Sequence, residues 1–219
     1  MTLQCAIDLN GFDVSCGACR SCSAVSKGVY LFDSDLSGSQ NLVGALTDLV
    51  QTETSLQCAP LECRKDPDIP VLDSQGERLV CRIEAKMLED KPFMKAKTRL
   101  PGHDLEPKET IVVDYPKLIS YFEREQADNR GASPYIPTFV VWHLGRPCEE
   151  LNGITVFQDC RVLKEIFDRE GDRRVFIRET GTGDFKDGKQ MGVTKKYHFS
   201  VRECRPIEEL VRELRALER

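Results

Sequence analysis

The run Thr138–Leu144 (TFVVWHL) constrains this chain more than any other segment. A strand with one wet face alternates polar and apolar residues, and this one does not. A near-continuous apolar run of strand length belongs in the middle of a sheet with both faces covered. The rest of the chain offers the cover. Leu42, Val43, Leu46, Leu49 and Val50 recur at one-face helical spacing, with Ser39 as the expected cap. Pro116 suits the first turn of a helix striped by Leu118, Ile119 and Phe122 and ending near Asn129. A third helix from about Asp159 carries Val162, Leu163, Ile166 and Phe167, and a closing one, opened by Pro206, carries Ile207, Leu210, Val211, Leu214 and Leu217. Val175–Ile177 and Tyr197–Val201 read as strands joined by a glycine-rich segment, and Ile111–Val113 as a short strand or a lead into the helix after it. Residues 87–110, broken by Pro92, Pro101 and Pro107, read as a charged loop. This order predicts an α/β (α+β) fold with a central mixed sheet flanked by helices.

Upstream of the buried strand, one hairpin concentrates chemistry. Ile69–Asp73 reads as a strand, Ser74–Glu77 as a turn marked by glycine and small polar residues, and Arg78–Lys86 as the returning strand. A turn centred between Gln75 and Gly76 puts Glu84 nearly opposite Asp68. Residues two apart share a strand face, so Glu84 and Lys86 point one way and Leu79, Cys81, Ile83 and Ala85 the other, towards a core. Two facing carboxylates make a seat for a hard divalent cation such as Mg²⁺. Asp73 is the rival aspartate. It lies beside the turn, opposite about Arg78, which is six residues along the strand from Glu84, or about 20 Å. On an exposed strand, the same E-x-K would be a solvated charge pair, and Asp68 a turn cap.

Pro67-Asp68 followed by Glu84-Ala85-Lys86 resembles the PD-(D/E)xK phosphodiesterase superfamily, whose fold is that of restriction endonucleases. The resemblance covers roughly residues 39 to 144. It implies a Mg²⁺-dependent endonuclease, acting on DNA more often than RNA, with Asp68 and Glu84 as metal ligands and a backbone carbonyl near Ala85 completing the coordination. Lys86 would orient or deprotonate the attacking water and offset charge in the transition state. The resemblance also allows further groups from flanking helices, with Glu53, Glu62 and Gln126 as the candidates.

A net charge of −5 is unusual for a nucleic-acid binder, but phosphate contact needs only a local basic surface. Residues 161–205 hold 12 basic against 8 acidic side chains, and Lys91, Lys95, Lys97 and Arg99 follow the hairpin without an acid among them. Together with Lys195 and Lys196 these are the expected nucleic-acid contacts. No apolar run reaches membrane-spanning length and no signal-peptide pattern is present, so a cytoplasmic setting and no membrane partner are expected. His103, His143 and His198 are scattered and read as structural.

Ten cysteines in such a setting are thiols or metal ligands rather than a disulfide framework. Cys16, Cys19 and Cys22 form two overlapping C-x-x-C steps, and Cys5, Cys58 or Cys63 could add a ligand. Cys16-x₂-Cys19 with Cys58-x₄-Cys63 is similar to paired zinc knuckles, and the overlapping run with a remote cysteine to a 4Fe–4S binding run. The expected organisation is a cysteine-rich metal-binding appendage over residues 1–38 and a nuclease domain over 39–219. The competing functions are a non-catalytic nucleic-acid or protein adaptor built on the cysteine cluster, and a nuclease toxin. A homodimer is compatible with double-strand cutting, which needs two active sites.

Overall fold

The computed structural model describes residues 1–15, 32–61, 63, 66–89, 92–181, 184–186, 188–190 and 192–218. Its centre is a six-stranded mixed sheet formed by β1 (Gln57–Cys58), β2 (Ile69–Leu72), β3 (Leu79–Leu88), β5 (Thr138–Leu144), β6 (Ile154–Asp159) and β11 (Arg205–Pro206), in that order. Only β3 and β5 pair in parallel; the other neighbours are antiparallel. All seven residues of β5 are buried, as its unbroken apolar character requires. Phe139 and Val141 face one layer, and Val140, Trp142 and Leu144 the other.

The first layer is helix α1 (Phe32–Glu53), which sets Leu42, Leu46 and Val50 against Ile83, Ala85 and Val141, together with helix α5 (Ile207–Leu217), which adds Ile207, Leu210 and Leu214. Each helix places a buried residue every three or four positions, the spacing of one face. α1 begins at Phe32, so Ser39 lies inside the helix and not at its cap. The expected boundary at residue 38 therefore falls within a helix. Before it, Gln4 bridges to Ile154 at the sheet, and Leu9 and Phe12 are buried in the core of the opposite layer.

That opposite layer holds helix α3 (Tyr115–Asp128) and helix α4 (Cys160–Glu170), the latter capped by the Asp159 carboxylate, which accepts from the Arg161 backbone N–H at 2.7 Å. It also holds a second antiparallel sheet of β4 (Thr110–Asp114), β10 (Lys195–Ser200) and β7 (Val175–Ile177). The segment read as a charged loop is more ordered than its composition suggests. β3 continues to Leu88, a short helix α2 (Ala96–Arg99) follows, and Ala96, Leu100 and Leu105 form a small core with Phe93 and Phe176. β8 (Phe185–Lys186) and β9 (Lys189–Gln190) form a separate hairpin in the glycine-rich segment. No described helix is long and apolar enough to cross a membrane.

Candidate active site

The hairpin register sets the site. Ile69 pairs with Ile83, so Asp68, one residue earlier, stands level with Glu84. The turn is made by Asp73: its carbonyl accepts from Gly76 N–H at 2.9 Å and its carboxylate from Glu77 N–H at 3.0 Å, with Gly76 at φ 72°, where a glycine is favoured. Asp73 is thus the turn aspartate, and its carboxyl is held low, first by the Glu77 N–H. Asp68 has a different partner. Its Oδ2 accepts from the backbone N–H of Ala85 at 3.0 Å, which pins the carboxyl across the strand pair.

Alternation along β3 sends Cys81, Ile83 and Ala85 into the α1 layer and leaves Arg82, Glu84 and Lys86 on the α3 side. Leu79, expected on the core face, is only half-buried and Val80 takes its place, because the register shifts between Val71 and Leu72. α3 runs back along β3. Arg82 pairs with Asp128 near the helix end at 2.6 Å, and two turns earlier the Tyr121 hydroxyl donates to Glu84 Oε1. Lys86 pairs with the same oxygen and stands 5.7 Å from the centre of the Tyr121 ring, and Lys117 Nζ, one turn before Tyr121, is 3.8 Å from Glu84 Oε1. Glu84 is fully buried, and its other oxygen, Oε2, has no hydrogen-bond partner among the described residues. Buried carboxylate oxygens are costly to leave unpaired, so this one marks a place for a positive group.

The electrostatics agree with the geometry. Burial, then the Glu84 charge, pushes Asp68 up to about 6 against the lowering effect of the Ala85 N–H and the two lysines. Burial pulls the Lys86 ammonium down, but the attraction of Glu84, the hydrogen bond between them, and Asp114 and Asp68 outweigh it, so the net direction is upward and Lys86 stays charged. Burial and then Glu84 push the Tyr121 hydroxyl well above its ordinary range, which keeps it a neutral donor. The residues present fit a divalent cation. A cation beside the unpartnered oxygen of Glu84 would satisfy it and remove the repulsion that raises Asp68. Asp68 and Glu84 would hold it, and it would supply charge neutralisation at a phosphate and a more acidic bound water.

The basic candidates divide. Lys196 pairs with Asp114, whose charge reaches Lys86, and Lys195 stacks over the Tyr115 ring at 3.5 Å, so both lie at the α3 start, next to the site. Lys95, Lys97 and Arg99 are exposed on and beside α2, where Lys97 pairs with Glu106. The neighbouring Phe93 bonds to Thr110 at the far end of β4 from Asp114, four residues or about 13 Å away. Lys91 lies outside the described residues. Sequence reasoning missed Tyr121, Lys117 and Asp114. The i, i+4 spacing of Lys117 and Tyr121 places them on one helix face, but nothing local tells that this face covers Glu84. Of the other helix candidates, Glu53 pairs with Arg215, Gln126 is exposed, and Glu62 is outside the described residues.

Cys16, Cys19 and Cys22 also lie outside the described residues. Cys5 is half-buried near Glu208, and Cys58 is half-buried beside Thr47 on the opposite edge strand. They are separated by at least four interstrand spacings, about 19 Å, so they cannot serve one metal together. Cys63 is exposed, and among the described residues no group of three His, Cys, Asp or Glu side chains converges as a metal site. His143 bonds to Thr155 at 2.8 Å, and His198 is buried against Phe93, as expected of structural histidines.

No family model matches the chain, and no curated protein matches it. Among solved structures, a nuclease from a fusselovirus is similar over 88% of this chain and 95% of its own length, at a TM-score of 0.45 and 10% identity. A likeness at that level carries nothing for function, which rests on the side chains above.

Proposed function

We propose that the protein is a divalent-metal-dependent nuclease of the restriction-endonuclease-like kind, with Asp68, Glu84 and Lys86 at its reacting centre. The observation that carries this is the buried Oε2 of Glu84, unpartnered among the described residues, on a residue level with a second desolvated carboxylate, with Lys86 and Lys117 on its other oxygen. Such a cluster is unfavourable by itself and becomes favourable once a cation and an anionic substrate share it. The cation would be Mg²⁺, and the substrate DNA.

Each side chain has a task. Glu84 is aimed by the Tyr121 hydroxyl and by Lys86, which fix one oxygen and leave the other free. Asp68 is aimed by the Ala85 N–H. Lys86, kept charged, offsets negative charge building on the phosphate and orients the attacking water; it does not act as the base. Lys117, 43% exposed, and Lys196 are placed to meet non-bridging oxygens or the neighbouring phosphate. The test is incubation with supercoiled plasmid, circular single-stranded DNA and RNA, with Mg²⁺ and with EDTA. Cleavage in Mg²⁺, absent in EDTA and in Glu84→Gln, is expected. Cleavage of none of the three substrates by the wild type would overturn the reading.

A further inference from the structure

Asp68 has a second surroundings. It forms part of the wall of an open cleft of about 430 Å³ between α1 and the β1 edge of the sheet. Val43, Pro60 and Leu61 make the apolar part of that wall, and Thr47 and Cys58, hydrogen-bonded to each other, supply its polar groups. Among the described residues no lysine or arginine lines this cleft. The cations Lys86, Lys117 and Lys196 all lie on the α3 side of the carboxylates. Among the described residues the site is asymmetric: a cationic flank on one side of Asp68, an open, mainly apolar cleft with one or two polar contacts on the other.

That asymmetry matches a nucleotide. Phosphates require the cationic flank, and a base offers flat apolar faces with polar edges. We propose, building on the nuclease reading, that the cleft receives the base of an unpaired nucleotide adjoining the phosphodiester at Asp68 and Glu84. The preferred substrate is then single-stranded or frayed nucleic acid, not closed duplex. A paired base is stacked on both faces and cannot enter the cleft without being pulled out, at a cost of a few kcal/mol. A single strand avoids that cost. Leu61, a lining residue that is 39% exposed, supplies apolar surface against which the base packs.

Cys58 gives a readout independent of cleavage. Full-length protein in EDTA would be treated with iodoacetamide, and alkylation of Cys58 followed by peptide mass spectrometry. The additions are a single-stranded 12-mer, the same 12-mer bearing abasic sites, or a hairpin duplex. In parallel, fluorescence anisotropy would give the affinity of each for the wild type and for Leu61→Glu, a change at an exposed position that spares the core. The intact single strand should slow Cys58 alkylation several-fold and the other two should not. Leu61→Glu should weaken single-strand binding at least tenfold and leave duplex binding unchanged. Equal protection by all three, no single-strand binding, or an unchanged preference in Leu61→Glu would each overturn the cleft assignment. Should Cys58 resist alkylation in the free protein, the anisotropy comparison decides. The two readings fail separately. Cleavage that ignores Leu61→Glu but is lost in Glu84→Gln keeps the nuclease and removes the cleft. Base-dependent Cys58 protection without cleavage of any substrate does the reverse.

Discussion

Replacing Asp68 by Asn should make the metal-free protein more stable at pH 8. Asp68 titrates at about 6 in the folded chain, raised by burial and by Glu84, against about 3.9 in an unfolded one. Two units correspond to about 3 kcal/mol, and the partial solvent access of the carboxyl makes about 1–3 kcal/mol the realistic range. The sign follows from proton binding. Between about pH 4 and 6 the folded state holds the Asp68 proton more tightly than the unfolded state. That contribution is complete below pH 4 and is lost as pH rises through 6. Asn keeps an oxygen for the Ala85 N–H and mimics the protonated acid, so wild type and Asp68→Asn should coincide near pH 4 and diverge by pH 8. His198 acts in the opposite sense. Burial first lowers it to about 4, so it favours the folded state increasingly as pH rises from 4 to about 6.5. The difference between variant and wild type removes this shared background. Urea unfolding in EDTA at pH 4, 6 and 8 measures it. Adding Mg²⁺ should then stabilise the wild type, by about 2.7 kcal/mol at a hundred times its Kd, and not the variant. An Asp68→Asn protein no more stable than wild type at pH 8, or equally stabilised by Mg²⁺, would refute the facing-carboxylate argument.

Glu84→Gln and Lys86→Met should each lower cleavage by at least a hundredfold at unchanged circular dichroism, while Asp73→Asn, a turn change, should leave the rate within a few-fold. Tyr121→Phe removes the hydroxyl that donates to Glu84; an unfolding free energy, from urea titration, lowered by about 1–2 kcal/mol and a roughly tenfold lower kcat with little change in KM are expected. Lys195→Ala with Lys196→Ala should lower the salt slope of DNA binding by up to ~0.7–0.9 per lost phosphate contact, and the Lys95, Lys97 and Arg99 triple Ala variant, remote from the site, should change it less. Elemental analysis of anaerobically purified protein should find zinc, or iron with sulfide, and Cys16→Ser with Cys19→Ser should remove it while leaving the hairpin folded; metal-free protein whose thiols all react would reject a metal at the cysteine run.

Much of the architecture is local and therefore legible in the sequence. The unbroken apolar run of β5 demanded a strand covered on both faces, and the stripes on α1, α3, α4 and α5 supplied the cover. Turn residues made the hairpin and the period of two put Lys86 on the face of Glu84, but a register shift between Val71 and Leu72 is what sets Asp68 level with Glu84. Leu72 pairs with Leu79, a register that would carry Asp68 to Ile83, and beyond the shift Ile69 pairs with Ile83. Where packing overrides local composition, the sequence misleads. Charged residues hide the Leu100 and Leu105 core in a segment read as loop, and α1 starts seven residues before the serine expected to cap it. The tertiary structure alone decided which helix covers Glu84. Tyr121 and Lys117 lie more than thirty positions away in the chain, and they reach Glu84 because α3 runs back along β3. The same holds for the side of Asp68 that faces cations and the side that faces the cleft, since these follow from the stacking of α1 and α3 on opposite faces of one sheet. Residue types and spacing determined which groups could do chemistry; the layering determined their environment, and so their charge states and the space beside them.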